Sequence, residues 1–473
     1  MDTKQNYLIK NTIIFTISSF ATKILSFFLV PIYTSILTTS EYGYADLIIT
    51  TTTVLVYIFT LNIADSVVRF TIIKDNNPLS VLGFSLKVII IGSCICGILI
   101  GAIDYFNVIS WPNYCNLFLF LIFCGTSINS VLLSYARGVD EIKKVGVAGV
   151  LSSAITIIAN IVFLVILDLR LKGYMLATFL GIVMSILYLI LSLKISLYKV
   201  IHDEDCSGIV KENMIRYSTP LIFNGIAWWL NSAFDRYSIT YLQGVNQNGL
   251  YSVASKIPLI LATINGIFGQ AWGLSAIKDI DDNDKDGFFS NTYSNYNFIL
   301  VCIGSVLIWF NIPLSRVLFA KEFFQAWHFS SILIVSSIFN ALASFLGGAF
   351  TRTMKTDMYA KTSVLSTTLN IGMNLVLINL IGTIGAAIAT ASSFIVLWLI
   401  RYIMAGRYIS LKVEIGKQII SYIILLVQVI IEQYLSRYSN IHLLCLMLLF
   451  IIYREEMINL FKCVTHFLAR KDI

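Results

Sequence analysis

Apolar runs of 18 or more residues recur from one end of this 473-residue chain to the other, separated by short polar segments. Each run is long enough to cross a hydrocarbon core as a helix. Ten-residue stretches of strict polar–apolar alternation, the mark of a membrane barrel, are absent from the sequence. The pattern predicts about fourteen spans. The first six lie near residues 11–36, 45–67, 84–104, 114–135, 145–167 and 174–196. Six more lie near 217–241, 249–273, 289–311, 329–350, 360–381 and 383–404, and the last two near 417–435 and 441–461. The fold class that follows is an all-α polytopic membrane protein.

The first run, TIIFTISSFATKILSFFLVPIYTSILTTSEYGY from Thr12 to Tyr44, carries an irregularity. Thr12, Thr16, Ser19, Lys23 and Ser26 recur at spacings of 4, 3, 4 and 3 and therefore share one helix face. A charge at mid-membrane costs about 2.5–3.5 kcal/mol on insertion scales, so it faces protein or water rather than lipid. Lys23 then either lines a hydrated cavity with Ser19 and Ser26, or snorkels or pairs with a carboxylate.

Composition agrees with the pattern. Hydrophobic residues make up 57% of the chain and charged residues only 12%, with a mean hydropathy of +0.82. Soluble domains carry about 25% charged residues. The net charge of +7 is spread over short loops. With the N-terminus placed in the cytoplasm, about 25 of the 33 Lys and Arg fall on that side, among them Arg137, Lys143, Lys144, Arg352 and Arg407. The other face receives Arg170, Lys172, Arg316, Lys321 and Arg437. This bias accounts for the basic character without nucleic acid. No cleaved signal is expected, because the first apolar run is too long and lacks a small-residue cleavage site. Both termini are expected in the cytoplasm.

Two halves of the chain resemble each other. Ser40-Glu41-Tyr42-Gly43-Tyr44 parallels Asn246-Gln247-Asn248-Gly249-Leu250-Tyr251, Ala136-Arg137-Gly138 parallels Thr351-Arg352-Thr353, and Gly173 to Thr178 parallels Gly385 to Thr390. The offsets fall between 206 and 215 residues and enclose an even number of spans. This is a parallel repeat, an arrangement in which substrate usually sits between the halves. The expected organisation is an N-lobe over 1–200, a cytoplasmic linker at 201–216, a C-lobe over 217–405, and two appended helices with a cytoplasmic tail over 406–473.

Polar constellations inside the spans supply candidate site residues. Asn62, Asp65 and Arg69 close span 2 at helical spacing, either as a cytoplasmic anchor or as the inner mouth of a cavity. In span 7, Asn224, Trp228, Asn231, Asp235 and Ser238 form a stripe with Arg236 beside it. Asp235-Arg236 reads as an intramembrane acid–base pair, structural or path-lining. Trp228 either packs or stacks on sugar rings. Lys256 precedes Pro258, which can distort span 8. The candidate cavity is therefore biased to cations (Lys23, Arg69, Arg236, Lys256) over Asp65 and Asp235, which suits a phosphate or pyrophosphate group.

Other signals point nowhere. Asp282-Asn283-Asp284-Lys285-Asp286-Gly287 matches half of an EF-hand loop but places Tyr293 where a bidentate Glu belongs. Eight cysteines and four histidines show no metal or catalytic spacing. There is no Walker sequence and no nucleophile elbow. No cofactor, metal or enzymatic activity is expected.

The first span with Lys23, its closing Thr39-Ser40-Glu41-Tyr42-Gly43-Tyr44-Ala45-Asp46-Leu47, Asp235-Arg236, and Gly249-Leu250-Tyr251-Ser252-Val253-Ala254 resemble the O-antigen (Wzx-type) polysaccharide flippases of the multidrug/oligosaccharidyl-lipid/polysaccharide exporters. The resemblance covers spans 1 to 12. It implies two pseudo-symmetric six-helix lobes in a V, with the last two helices appended. It also implies transfer of an undecaprenyl-pyrophosphate-linked oligosaccharide from the cytoplasmic to the periplasmic leaflet of the bacterial inner membrane, with no bond made or broken. A coupling ion, H+ or Na+, is left open. A polymerase and a chain-length regulator of the same glycan pathway are possible partners, beside membrane lipids. Two other readings compete. One is a small-molecule or drug antiporter of the same superfamily, which calls for an acidic cavity. The other is a membrane glycan polymerase, which calls for a large outer loop.

Overall fold

In the computed structural model the described residues are 23, 27–73, 76–106, 111–196, 207–278, 284, 287–352, 356–407, 409, 412–434 and 439–458. Among them every regular element is helical. The packing separates into two units, Met1–Thr240 with Gly244–Gly249, and Tyr241–Gln243 with Leu250–Ile473.

Unit 1 begins its described helices with α1 (Val30–Ile36) and α2 (Thr39–Phe59). Thr38 and Glu41 form a capping box at the start of α2, so two orphan N–H groups are satisfied where the chain turns into the span. The sequence predicts one span over 45–67, but the helix breaks. Leu61 and Asn62 both adopt positive φ (52° and 49°), and α3 (Ile63–Ile72) starts afresh. Helices α4 (Pro78–Tyr105), α5 (Tyr114–Gly138), α6 (Ile142–Asn160) and α7 (Arg170–Ser192) follow, with a π-turn over Ile161–Ile166 closing α6.

Two apolar clusters hold these helices together. One gathers Ile63, Val67, Val81, Leu82, Val131, Leu132 and Leu189, and the other Ala45, Ile48, Cys96, Phe118, Phe123, Leu171 and Met175. The outward faces are apolar too. Ile90, Ile91, Ile95 and Ile98 of α4 are all more than half exposed, as lipid-facing side chains are. The last long helix of the unit, α8 (Gly208–Gln243), is capped by the Ser207 side chain and contains Pro220. It begins earlier than the span predicted at 217. Its 36 residues extend about 54 Å, more than a hydrocarbon core requires.

Unit 2 continues through α9 (Val245–Ala254), which crosses from one unit to the other, and α10 (Leu259–Lys278). These two bend by 53° at the Lys256–Pro258 turn, where the proline ring excludes a continuous helix. Then come α11 (Phe288–Trp309), α12 (Asn311–Leu318), a 3₁₀ turn over Lys321–Ala326, α13 (Trp327–Arg352), α14 (Thr356–Ile381), α15 (Thr383–Ala405), α16 (Ile415–Tyr434) and α17 (Ser439–Ile452). The span around α13 is the most enclosed, with 78% of its apolar window buried.

Among the described residues ten helices are long and apolar enough to cross a membrane, or eleven with the bent pair, and Asn440–Ile452 is a shorter apolar helix. The chain is a multi-pass membrane protein. The expected number of fourteen is not reached on length and apolarity.

Candidate functional site

Two of the predicted site residues of unit 1, Arg69 and Arg236, meet partners across one seam, where α2 and α3 run against α8. At one end the Arg69 guanidinium stands 4.7 Å over the Tyr217 ring. Phe70 meets the same ring edge-on at 6.3 Å. Midway, Gly225 faces Tyr57 so closely that an added Cβ would stand 2.8 Å from the ring. Further along, the Trp229 indole N–H donates to the Thr50 carbonyl at 2.8 Å. Arg236 then reaches α2 twice: Nε stands 3.3 Å from Asp46 Oδ2, and Nη1 donates to Thr50 Oγ1 at 3.0 Å. Tyr237 and Thr51 share a hydroxyl–hydroxyl bond of 2.6 Å.

Helical spacing explains why these side chains meet. Trp229 and Arg236 are seven residues apart and project from one face of α8, as Asp46 and Thr50 do from α2. Neighbours in sequence on a helix are turned about 100° from each other. Arg236 accordingly takes its counter-charge from Asp46 across the seam, while the adjacent Asp235 is buried on another side of α8. Asn231 is half-buried, and Trp228 is 62% exposed.

Near the break between α2 and α3, Asn62 Nδ2 donates to Asp65 Oδ2 at 2.8 Å. Asp65 and Arg69 are both exposed. Lys23 is helical and half-buried, whereas Ser19 and Ser26 lie outside the described residues. Lys256 belongs to unit 2, half-buried in the turn that bends α9 from α10. Of the expected residues, the structure thus sets Asp65, Arg69, Trp228, Asn231, Asp235 and Arg236 on or beside one helix pair. Asp46, Thr50, Thr51 and Tyr237 were not among the expected site residues. Asp46 carried a signal as plain as Asp65, an acid inside a predicted span.

The seam ends on the repeat motif itself. The Ser40 hydroxyl donates to Asn246 Oδ1, and Asn248 Nδ2 donates to the Gly43 carbonyl at 3.3 Å. A Cβ on Gly43 would run into the Val245 carbonyl oxygen, and one on Gly249 into the Thr39 carbonyl oxygen. Thr39 and Val245, Ser40 and Asn246, and Gly43 and Gly249 are the positions the repeat pairs. Equivalent residues therefore touch one another, the reciprocal contact that a local twofold axis produces.

Chemically the seam offers one compensated charge pair, hydroxyls, an exposed indole and the Arg69 guanidinium. Among the described residues it offers no nucleophile–base pair. Among the described residues no three His, Cys, Asp or Glu are placed to hold a metal ion.

Comparison with solved structures returns the same architecture. A lipid II flippase, MurJ, in an inward closed conformation superposes with a TM-score of 0.68 at 15% identity, covering 94% of this chain and 100% of that one. An inward-facing multidrug-resistance MATE family transporter of the MOP superfamily gives a TM-score of 0.63 at 15% identity, covering 82% and 95%. A MOP superfamily transporter from Pyrococcus furiosus, described as having a binding pocket of reverse polarity, gives 0.52 at 14% identity, covering 85% and 96%. The chain thus has the MATE/MurJ-like fold. No curated protein matches the sequence. A family model described as polysaccharide biosynthesis protein matches residues 8–272, more than half of the chain. The chain belongs to the polysaccharide biosynthesis protein family.

Proposed function

We propose that the protein is a flippase that carries an undecaprenyl-pyrophosphate-linked oligosaccharide, an O-antigen or similar surface-glycan repeat unit, from the cytoplasmic to the periplasmic leaflet of a bacterial inner membrane by alternating access. The observation that carries this reading is the family match over residues 8–272 on a chain with a transporter fold. Polysaccharide biosynthesis names the pathway class, and the fold shared with transporters supports movement across a membrane as the step. The fold shared with a lipid II flippase supports a lipid-linked cargo.

The seam residues suit such a cargo. With Arg236 paired to Asp46, Lys23 and Arg69 remain as candidate pyrophosphate contacts among the described residues of unit 1. Trp228 and Asn231 would offer sugars a ring and an amide. Ser19 and Ser26 extend the polar face of the first span in the sequence. Asp65 and Asp235 are the candidates for a coupling proton or sodium ion. The polymerase and chain-length regulator of the same glycan pathway would act on the delivered unit.

The test is deletion of the gene followed by analysis of lipid-linked intermediates. Repeat units linked to the lipid carrier should accumulate on the cytoplasmic side, and the surface glycan should be lost. Normal delivery with altered chain length would sink the flippase reading and favour a polymerase. Normal glycan with increased drug sensitivity would favour an antiporter.

A further inference from the structure

Unit 2 contains a cavity of about 190 Å³ between α10, α13 and the start of α14, lined by Asn265, Phe268, Trp272, Ser344, Phe345 and Tyr359. None of these residues belongs to the seam described above. Two ring pairs build its wall. Phe268 stacks on Tyr296 with centroids 3.9 Å apart, and Trp272 stacks on Phe345 at 4.0 Å. The Trp272 indole N–H donates to the Phe345 carbonyl at 3.1 Å, which fixes its ring plane. Polar groups stand among the rings. Asn265 Oδ1 accepts the Tyr296 hydroxyl at 2.9 Å, so its amide N–H₂ is left as a donor. The Ser344 hydroxyl donates to the Asn340 carbonyl at 2.8 Å, so its oxygen is left as an acceptor.

Behind this wall lies a buried arginine. Arg401 of α15 is 2% exposed. It donates to the Ala343 carbonyl at 2.8 Å, Thr362 Oγ1 at 3.2 Å and Ser363 Oγ at 2.8 Å. Its guanidinium carbon stands 4.2 Å from the centre of the Tyr359 ring. A Cβ on Gly347 would stand 2.5 Å from Tyr359 Cε2 and 3.3 Å from Arg401 Nη1, so the glycine lets the Tyr359 ring, and the guanidinium beside it, pack against α13. A buried guanidinium is costly inside a membrane protein and marks function more often than packing. Here it holds α13, α14 and α15 in register and sets the Tyr359 ring against the cavity.

We propose that this cavity is a sugar subsite, which receives one pyranose ring of the transported glycan, with Arg401 as its positioning residue; the proposal rests on the flippase reading above. A pyranose has two C–H faces and a rim of hydroxyls. The faces match aromatic rings, and the rim matches an amide donor and a hydroxyl acceptor. A hydrocarbon tail would leave those polar groups without partners, which costs free energy.

The experiment uses the full-length protein in proteoliposomes. The probe is the lipid-linked glycan that accumulates in cells lacking the protein. The free glycan released from it by mild acid serves as competitor. Ser344→Phe fills the cavity without removing a ring from the wall, and Asn265→Ala removes only the amide. Each should raise the half-saturating concentration about tenfold, the loss of one hydrogen bond in a desolvated site, with the maximal rate retained and competition by free glycan weakened. Arg401→Gln should do the same, and Arg401→Lys should restore part of the affinity. A purely structural Arg401 would lower the yield of folded protein and leave half-saturation unchanged. Unchanged half-saturation in both Ser344→Phe and Asn265→Ala, with an active parent protein, would overturn the subsite alone. A parent protein that moves no lipid-linked glycan would overturn the subsite and the flippase reading together.

Discussion

Arg236 and Asp46 meet at 3.3 Å with 27% and 11% of their side chains exposed. Breaking a fully buried pair by removing one partner costs about 3–5 kcal/mol, and partial exposure lowers that to about 1–3 kcal/mol here. Asp46→Asn and Arg236→Gln should therefore each lower the thermal midpoint of the purified protein, while the double substitution should cost clearly less than the sum. A double-mutant cycle on unfolding in detergent measures the coupling, and strict additivity would show that the pair carries no interaction. Arg236 was legible in the sequence, since a charge inside an apolar run stands out. Its partner was not. Adjacency suggested Asp235, but helical rotation separates neighbours, and only the packing of α2 on α8 selects Asp46. Lys23 was legible for the same reason as Arg236, and the structure places it half-buried on a helix.

The break between α2 and α3 belongs to the scale of the element. Neither glycine nor proline occurs from Thr60 to Asp65, so the apolar pattern reads through as one span. Yet Asn62 is left-handed at φ 49° and bonds Asp65 with its side chain. Asparagine tolerates that region, whereas a β-branched residue does not, at a cost of about 1–2 kcal/mol. Asn62→Val should lower the thermal midpoint markedly and Asn62→Gly little. The reverse order would mean that the left-handed turn does not form.

The glycine contact between α2 and α9 was half legible. The sequence identified Ser40 to Tyr44 and Asn246 to Tyr251 as copies, but nothing in a repeat says that its copies touch. The reason is steric: only glycine at 43 and 249 lets the two backbones approach. Ser40→Cys with Asn246→Cys, in a background cleared of the eight native cysteines, should form a disulfide on mild oxidation, read as a mobility shift on non-reducing gels. No cross-link under conditions that join a control pair would contradict the contact.

For the whole molecule, apolar run length carried the fold class, and the physical limits of that signal explain what it missed. The span predicted at 217–241 is part of a 36-residue helix with Asn, Asp and Arg along it, so it fails a test of apolarity while packing as a full helix. Asn440–Ile452 is too short to pass by length, and the first span is described only at Lys23 and from Phe27 onward. Orientation rests on charge alone. The positive-inside rule counts Lys and Arg in short loops near span ends, and one span tests it cleanly. Ile142–Ile166 is long and apolar enough for a single crossing. Exposed Asp140 precedes it beside Lys143 and Lys144, and exposed Asp168 follows it beside Arg170 and Lys172. The two flanks must lie on opposite faces, and neighbouring charge does not distinguish them, because both carry two cations. The distinction comes from the sum over all loops, which predicts a cytoplasmic Asp140. Asp168→Cys should therefore react with a membrane-impermeant maleimide in intact cells, and Asp140→Cys only after permeabilisation. The reverse pattern would invert the topology and with it the direction of transport. Labelling of both in intact cells would mean that Ile142–Ile166 does not cross.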